Sequence, residues 1–112
     1  MLVVALLLNC LIHGDDPSLM FAVEIQKNNH VTVLKDLIKE KKTSRLKDID
    51  ASDLNLWKAD FPINDDVETE LKYINLAGYS KLWPPSKKLS TFFTVAKDDY
   101  LHVIVNYPGM SH

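Results

Sequence analysis

The chain closes on an alternating run, Asp99-Tyr100-Leu101-His102-Val103-Ile104-Val105-Asn106-Tyr107-Pro108, with a proline at its end. Side chains alternate across a pleated strand, so Leu101, Val103 and Val105 are expected on one face and His102, Ile104 and Asn106 on the other. The opening is a second apolar run. Residues 3–12 read as a strand stopped by His13-Gly14-Asp15-Asp16-Pro17-Ser18, a cluster that supplies glycine freedom, aspartate turn bonds and a proline-fixed dihedral. Strands at both ends of one short chain predict a sheet in which those ends meet.

Between them the period of the apolar pattern changes twice. Leu19 to Ile25 alternates, with Phe21, Val23 and Ile25 on one face and Ala22, Glu24 and Gln26 on the other, as in a half-buried antiparallel strand. From Val31 the spacing becomes helical: Val31, Leu34, Leu37, Ile38 and Lys41 share one stripe of a helix ending near Lys42, with the Lys41 stem along its edge. Lys39, Lys41 and Lys42 suit the negative end of that helix, whereas His30 stands where a serine or threonine would cap its start. After a connection from Thr43 to Ser52, Asp53-Leu54-Asn55-Leu56-Trp57-Lys58 reads as a third strand with Leu54 and Leu56 inward. Asp65 and Glu68 have capping-box spacing for a short helix carrying Val67, Leu71 and Ile74. Lys81-Leu82-Trp83-Pro84-Pro85 is a rigid break. Ser86 then caps a predicted short helix, Lys87 to Phe93, whose Leu89, Phe92 and Phe93 plug one end of the core.

This order predicts an α+β fold, a mixed sheet with one main helix packed across one face. At 112 residues the chain fits a single domain, residues 1–112 with a core of about 3–108, large enough to fold without staples. The single cysteine, Cys10, excludes an intramolecular disulfide. With 13 basic against 15 acidic residues and a net charge of -2, nothing in the overall charge favours nucleic acid or an anionic membrane. The apolar stretch Met1 to Leu8 lacks a basic flank and a small-residue cleavage site, and falls short of the ~20 residues that span a bilayer, so a buried strand is the expected reading and stable membrane insertion is not.

Catalytic chemistry has little to build on. Gly14, Gly78 and Gly109 compose no phosphate-cradling or dinucleotide-binding loop, and His13, His30, His102 and His112 are scattered, so neither a cofactor nor a metal is expected. Cys10 shares a face with Leu8 and Ile12 and is expected as a buried small hydrophobe, out of reach of an outward His102. Aspartate pairs at turns and helix starts need no catalytic role. What remains is surface: Asn55, Trp57, His102 and Ile104 are expected on the open sheet face opposite the helix, an interaction patch for a protein partner or a second copy of the chain, unless later loops with Tyr79 and Trp83 fold over it.

The element order is similar to the ubiquitin-like β-grasp fold, and Leu101-His102-Val103-Ile104-Val105 resembles ubiquitin's last strand. Three segments more specifically resemble the N-terminal header of fungal Crinkler (crinkling and necrosis) effectors. They are Leu8-Asn9-Cys10-Leu11 with the hairpin through Ile25, the helix around Leu34-Lys35-Asp36-Leu37 leading to Leu54-Asn55-Leu56-Trp57-Lys58-Ala59, and His102-Val103-Ile104-Val105-Asn106-Tyr107-Pro108. The resemblance implies a non-enzymatic module of a secreted effector, serving export and delivery into the host cell (cytoplasm or nucleus) and protein contacts. It assigns an LFLAK-like delivery motif to Leu54, Leu56, Trp57, Lys58 and Ala59, and a header-boundary motif to His102, Val103, Val105 and Pro108. Leu54 and Leu56 as core residues could not be read by a receptor in the folded state, which leaves Trp57, Lys58 and Ala59 for direct contacts. The alternative is an intracellular ubiquitin-like adaptor that is not secreted. A conjugated modifier is disfavoured, because Gly109 stands beside Pro108 and is followed by Met110-Ser111-His112.

Overall fold

Apolar alternation supplies five strands, and the computed structural model, which describes residues 5–109, joins them in one mixed sheet. They are β1 (Ala5–Ile12), β2 (Phe21–Gln26), β3 (Asn55–Pro62), β4 (Ser80–Lys81) and β5 (Tyr100–Asn106), in the order β2-β1-β5-β3-β4. β1 runs antiparallel to β2 and parallel to β5, so the first and last strands meet in the middle of the sheet as their patterns predict. The expected strand start at Val3 lies outside the described residues.

The helix α1 (Val31–Lys41) packs its Val31, Leu34 and Ile38 on one face of the sheet, against Leu8, Cys10, Ile12, Val23, Ile25, Leu56, Val103 and Val105. Phe93, Leu89, Leu82 and Leu46 close the edges of this core. Each fully buried aliphatic side chain there contributes roughly 1.5–3 kcal/mol relative to exposure. The lysine lying along the edge of the helical stripe is Lys35, which is buried, and not Lys41, which is exposed. Burial and the charge of Lys81 depress the Lys35 ammonium's pKa, and Asp53 opposes them.

His30 makes no side-chain cap, yet the helix start is not left bare. The Val31 N–H donates to the Lys87 carbonyl (2.9 Å) and the Thr32 N–H to the Pro85 carbonyl (3.2 Å), so a segment distant in sequence satisfies donors that a capping side chain would take. The same segment explains why the helix expected from Lys87 to Phe93 shrinks to a 3-10 turn, Leu89–Thr91: the Leu89 and Ser90 N–H groups are drawn outward to the carbonyls of Asn29 (2.8 Å) and Lys27 (2.9 Å). Leu89 and Phe93 still plug the core.

Two other expectations change in detail. The short helix α2 is Val67–Lys72; its N-cap is Asp66, whose side chain makes no cap bond, and the local turn is instead closed by Asn64 Oδ1 accepting from the Asp66 N–H (2.9 Å). The third strand continues past Lys58 to Pro62 because its register against β5 shifts between Lys58 and Phe61, with Asp60 taking a positive φ of 50° at the slip. α2 and the 3-10 turn Leu76–Gly78 lie over the sheet face opposite α1. Leu71, Ile74 and Leu76 pack there on Leu11, Ala59, Leu101 and Ile104 as a second, smaller core.

Candidate functional site

The two sequence segments singled out as delivery and boundary motifs face one another. In the antiparallel β3–β5 ladder, Asn55 pairs with Asn106, Leu56 with Val105, Trp57 with Ile104 and Lys58 with Val103. Leu54 and Leu56 are both 0% exposed, and Val103 and Val105 are equally buried in the main core. Ala59 is buried in the second core. The ladder therefore holds together by apolar burial on both faces, and the segments that look like signals in sequence form one structural unit. Pro108 lies outside it, on the surface.

Trp57 is half-buried: its ring packs against the second core while Nε1 donates to Asn106 Oδ1 (3.1 Å), across the same ladder. Lys58 reaches Asp60 (3.5 Å) and lies 5.5 Å from the centre of the Phe93 ring. From the whole delivery segment, only parts of Trp57 and Lys58, with Asn55 beside them, reach the surface.

The expectation of an open face carrying His102 and Ile104 is corrected. His102 is 2% exposed and Ile104 1%. Ile104 is covered by the α2 segment, a lid that sequence reading did not place because six helical residues carry a weak periodic signal. Tyr79 stacks on Phe61 at 5.8 Å, and Trp83 stays 61% exposed, so neither ring is the cover. Leu101 also departs from simple alternation: beside the register slip it packs with Ile104 in the second core and not with Val103 and Val105.

His102 is buried because it replaces a missing piece of ladder. β1 and β5 pair only from Cys10 and Val103 onward; before that point the Asn9 N–H donates to His102 Nδ1 (3.0 Å), and Asn9 Nδ2 donates to the Tyr100 carbonyl (2.8 Å). With Nδ1 accepting, the ring proton belongs on Nε2, which donates to the Lys97 carbonyl (2.9 Å). Burial holds this imidazole below the ordinary histidine pKa, while the Lys97 carbonyl and the charges of Asp60 and Asp98 oppose the shift. A neutral ring fully used by the backbone is a strap between strands. Cys10 is fully buried, its Sγ donates to the Leu8 carbonyl (3.6 Å), and burial pushes its thiol well above the ordinary value, so it offers no nucleophile. Among the described residues, no three His, Cys, Asp or Glu side chains converge as a metal site, and no helix is long and apolar enough to cross a membrane.

Sequence reading missed one surface cluster. β4 places Lys81 opposite Trp57, and the Lys81 ammonium sits 5.9 Å from the Trp57 ring centre and 5.3 Å from that of Trp83. The signal lay in the alternation of Lys81, Leu82 and Trp83, with Leu82 buried between exposed neighbours, but two paired residues before two prolines resemble a break more than a strand.

With this geometry in place, comparison with known proteins gives a consistent picture. Residues 6–106 match the family model of the Crinkler effector protein N-terminal domain. Over 100 residues the chain is 33% identical to Crinkler effector protein 1 of Rhizophagus irregularis, a span of 88% of this chain and 21% of that relative's length. Among solved structures, the C-terminal ubiquitin-like domain of mouse tubulin-specific chaperone e superposes with a TM-score of 0.57, over 96% of this chain and 91% of the other, at 16% identity. That last likeness is one of fold.

Proposed function

The chain belongs to the Crinkler effector N-terminal domain family, and from that membership we propose that it is a non-catalytic header, secreted as part of an effector, that serves delivery into host cells and makes protein contacts through its folded surface. The observation that carries the reading is the β3–β5 ladder: Asn55 to Lys58 of the delivery-like segment pair with Val103 to Asn106 of the boundary-like segment, and Leu54 and Leu56 are wholly inside. A receptor therefore meets the assembled domain, with Trp57, Lys58 and the Lys81–Trp83 edge available for contact, and does not meet an extended peptide. Tryptophan is among the usual anchors of protein interfaces.

The test is to express the native reading frame in its own organism with a split-reporter fragment at its C-terminus, and to read complementation in host cells that express the other fragment. Signal inside host cells is expected. It should persist for Leu56→Met, which breaks the motif while keeping core volume. Reporter confined to the producing cell would remove the delivery role and leave an intracellular ubiquitin-like adaptor as the reading. Loss of delivery by a fully folded Leu56→Met protein would show that the linear motif is read directly.

A further inference from the structure

We propose that the cleft between α2 and the β1–β2 turn is a docking site for a basic peptide segment of a protein partner, one that alternates lysine or arginine with apolar side chains. The cleft has a volume of about 460 Å³, within the range of formed binding pockets. Its floor is apolar, made by Leu11 and Ile104 from adjacent central strands, with Leu71 and Ile74 along one wall. Its rim is acidic, with Asp16 on the turn and Glu68 on the helix.

Charge on the two walls selects the occupant. From Asp65 to Leu71 the chain carries Asp65, Asp66, Glu68 and Glu70 and no lysine or arginine, so the α2 side approaches a ligand as an anionic surface. On the turn side, Asp15 is already occupied by Arg45 (3.2 Å), whereas Asp16 is held ionised, below the usual carboxylate range, by the Ser18 N–H (2.8 Å). Lys72 contributes a positive charge to the wall and lies 5.8 Å from the centre of the Tyr73 ring. Two exposed apolar side chains stand next in sequence to these walls, Leu19 at the end of the 3-10 turn Pro17–Leu19 and Tyr73 directly after α2. An apolar floor with acidic rims and apolar shoulders suits a chain that sends one or two apolar side chains down and sets its cations against the rims. A nucleic acid or an anionic lipid surface would meet repulsion there.

This inference deepens the protein-contact part of the proposed function and rests on it, but it is read on the purified chain with no delivery step, so either can fail alone. The probe is a fluorescein-labelled heptapeptide alternating lysine with leucine and phenylalanine. Its controls are the same peptide with glutamate for lysine and a lysine–serine peptide of equal charge. Polarisation should show saturable, salt-sensitive binding of the first peptide alone, and amide shifts of the 15N-labelled chain should centre on Leu11, Gly14, Leu71 and Ile104. Glu68→Lys, an exposed substitution, should weaken binding at least about fivefold, and Asp16→Asn, which keeps an acceptor for Ser18, should weaken it less. Absence of saturable binding, equal binding of either control, shifts centred elsewhere, or unchanged affinity for a folded Glu68→Lys protein would each overturn the proposal. So would salt-sensitive self-association lost in the same variants, since a second copy would then be the occupant.

Discussion

Leu56→Ala measures how much of the fold depends on the segment that looks like a delivery signal. Leu56 is fully buried in the main core, its carbonyl accepts from the Leu82 N–H (2.8 Å), and its strand partner is Val105. Removing three carbons costs about 2.4 kcal/mol in transfer free energy at ~0.8 kcal/mol per methylene. Incomplete collapse of the cavity raises the total to about 3–4 kcal/mol, inside the usual range for buried leucine truncations. A chain of this length has an unfolding entropy of ~0.24 kcal/mol/K at its midpoint, so Tm should fall by roughly 12–17 °C. Leu56→Met preserves volume and should cost less than ~1.5 kcal/mol, a fall of about 6 °C at most. The assay is thermal and urea denaturation of the purified proteins by circular dichroism. A fall of only a few degrees for Leu56→Ala would mean that this side chain is not packed between α1 and the sheet, and the reading of the segment as architecture would fail.

Three further outcomes follow from the same geometry. Unfolding frees the His102 imidazole to take up a proton that the folded site resists, so stability is fully present above the unfolded value of ~6.5 and falls as pH drops below it, by up to ~1.4 kcal/mol per pH unit toward the lower folded value. His102→Gln should flatten that part of a urea-midpoint profile between pH 5 and 7, and an unchanged slope would contradict the strap assigned to this ring. His30→Ser, normally a gain of about 1 kcal/mol at an N-cap, should shift stability by less than ~0.5 kcal/mol, because Pro85 and Lys87 already accept the donors of the first turn. Arg45 joins Tyr107 Oη (2.7 Å) to Asp15, but its side chain is 39% exposed and solvent-screened, so Arg45→Met should cost no more than ~1 kcal/mol, a loss that shrinks in 0.5 M salt.

Much of this molecule was legible in its residues. The alternation of Phe21, Val23 and Ile25, the helical spacing of Val31, Leu34 and Ile38, and the inward Leu54 and Leu56 all reflect burial on one face, which a periodic pattern records directly. Ile104 failed because it belongs to a strand covered on both sides: alternation tells which residues share a face, and cannot tell that a short, weakly periodic segment earlier in the chain folds over it. His102 failed because its ring is drawn into the gap between β1 and β5, held by the Asn9 N–H and the Lys97 carbonyl, which no local pattern records. Leu101 failed because a slip in the partner strand re-aims it, and Asp60 gives that slip little local signature. The Lys81 cluster and the segment closing the start of α1 depend on contacts between positions far apart in the chain, where local propensity carries no information.

The account rests on the segments Leu54 to Ala59 and His102 to Val105 being held in one buried ladder of the folded domain, and native-state amide hydrogen exchange measures that directly. Leu56 to Ala59 and His102 to Val105 should be among the slowest amides, exchanging together and only through global unfolding, with opening free energies equal to the stability from denaturant titration. Exchange of residues 54–59 as fast as the exposed turn around Thr43 and Ser44, in a chain whose β1–β2 hairpin stays protected, would show an accessible peptide in place of a strand and would contradict the account.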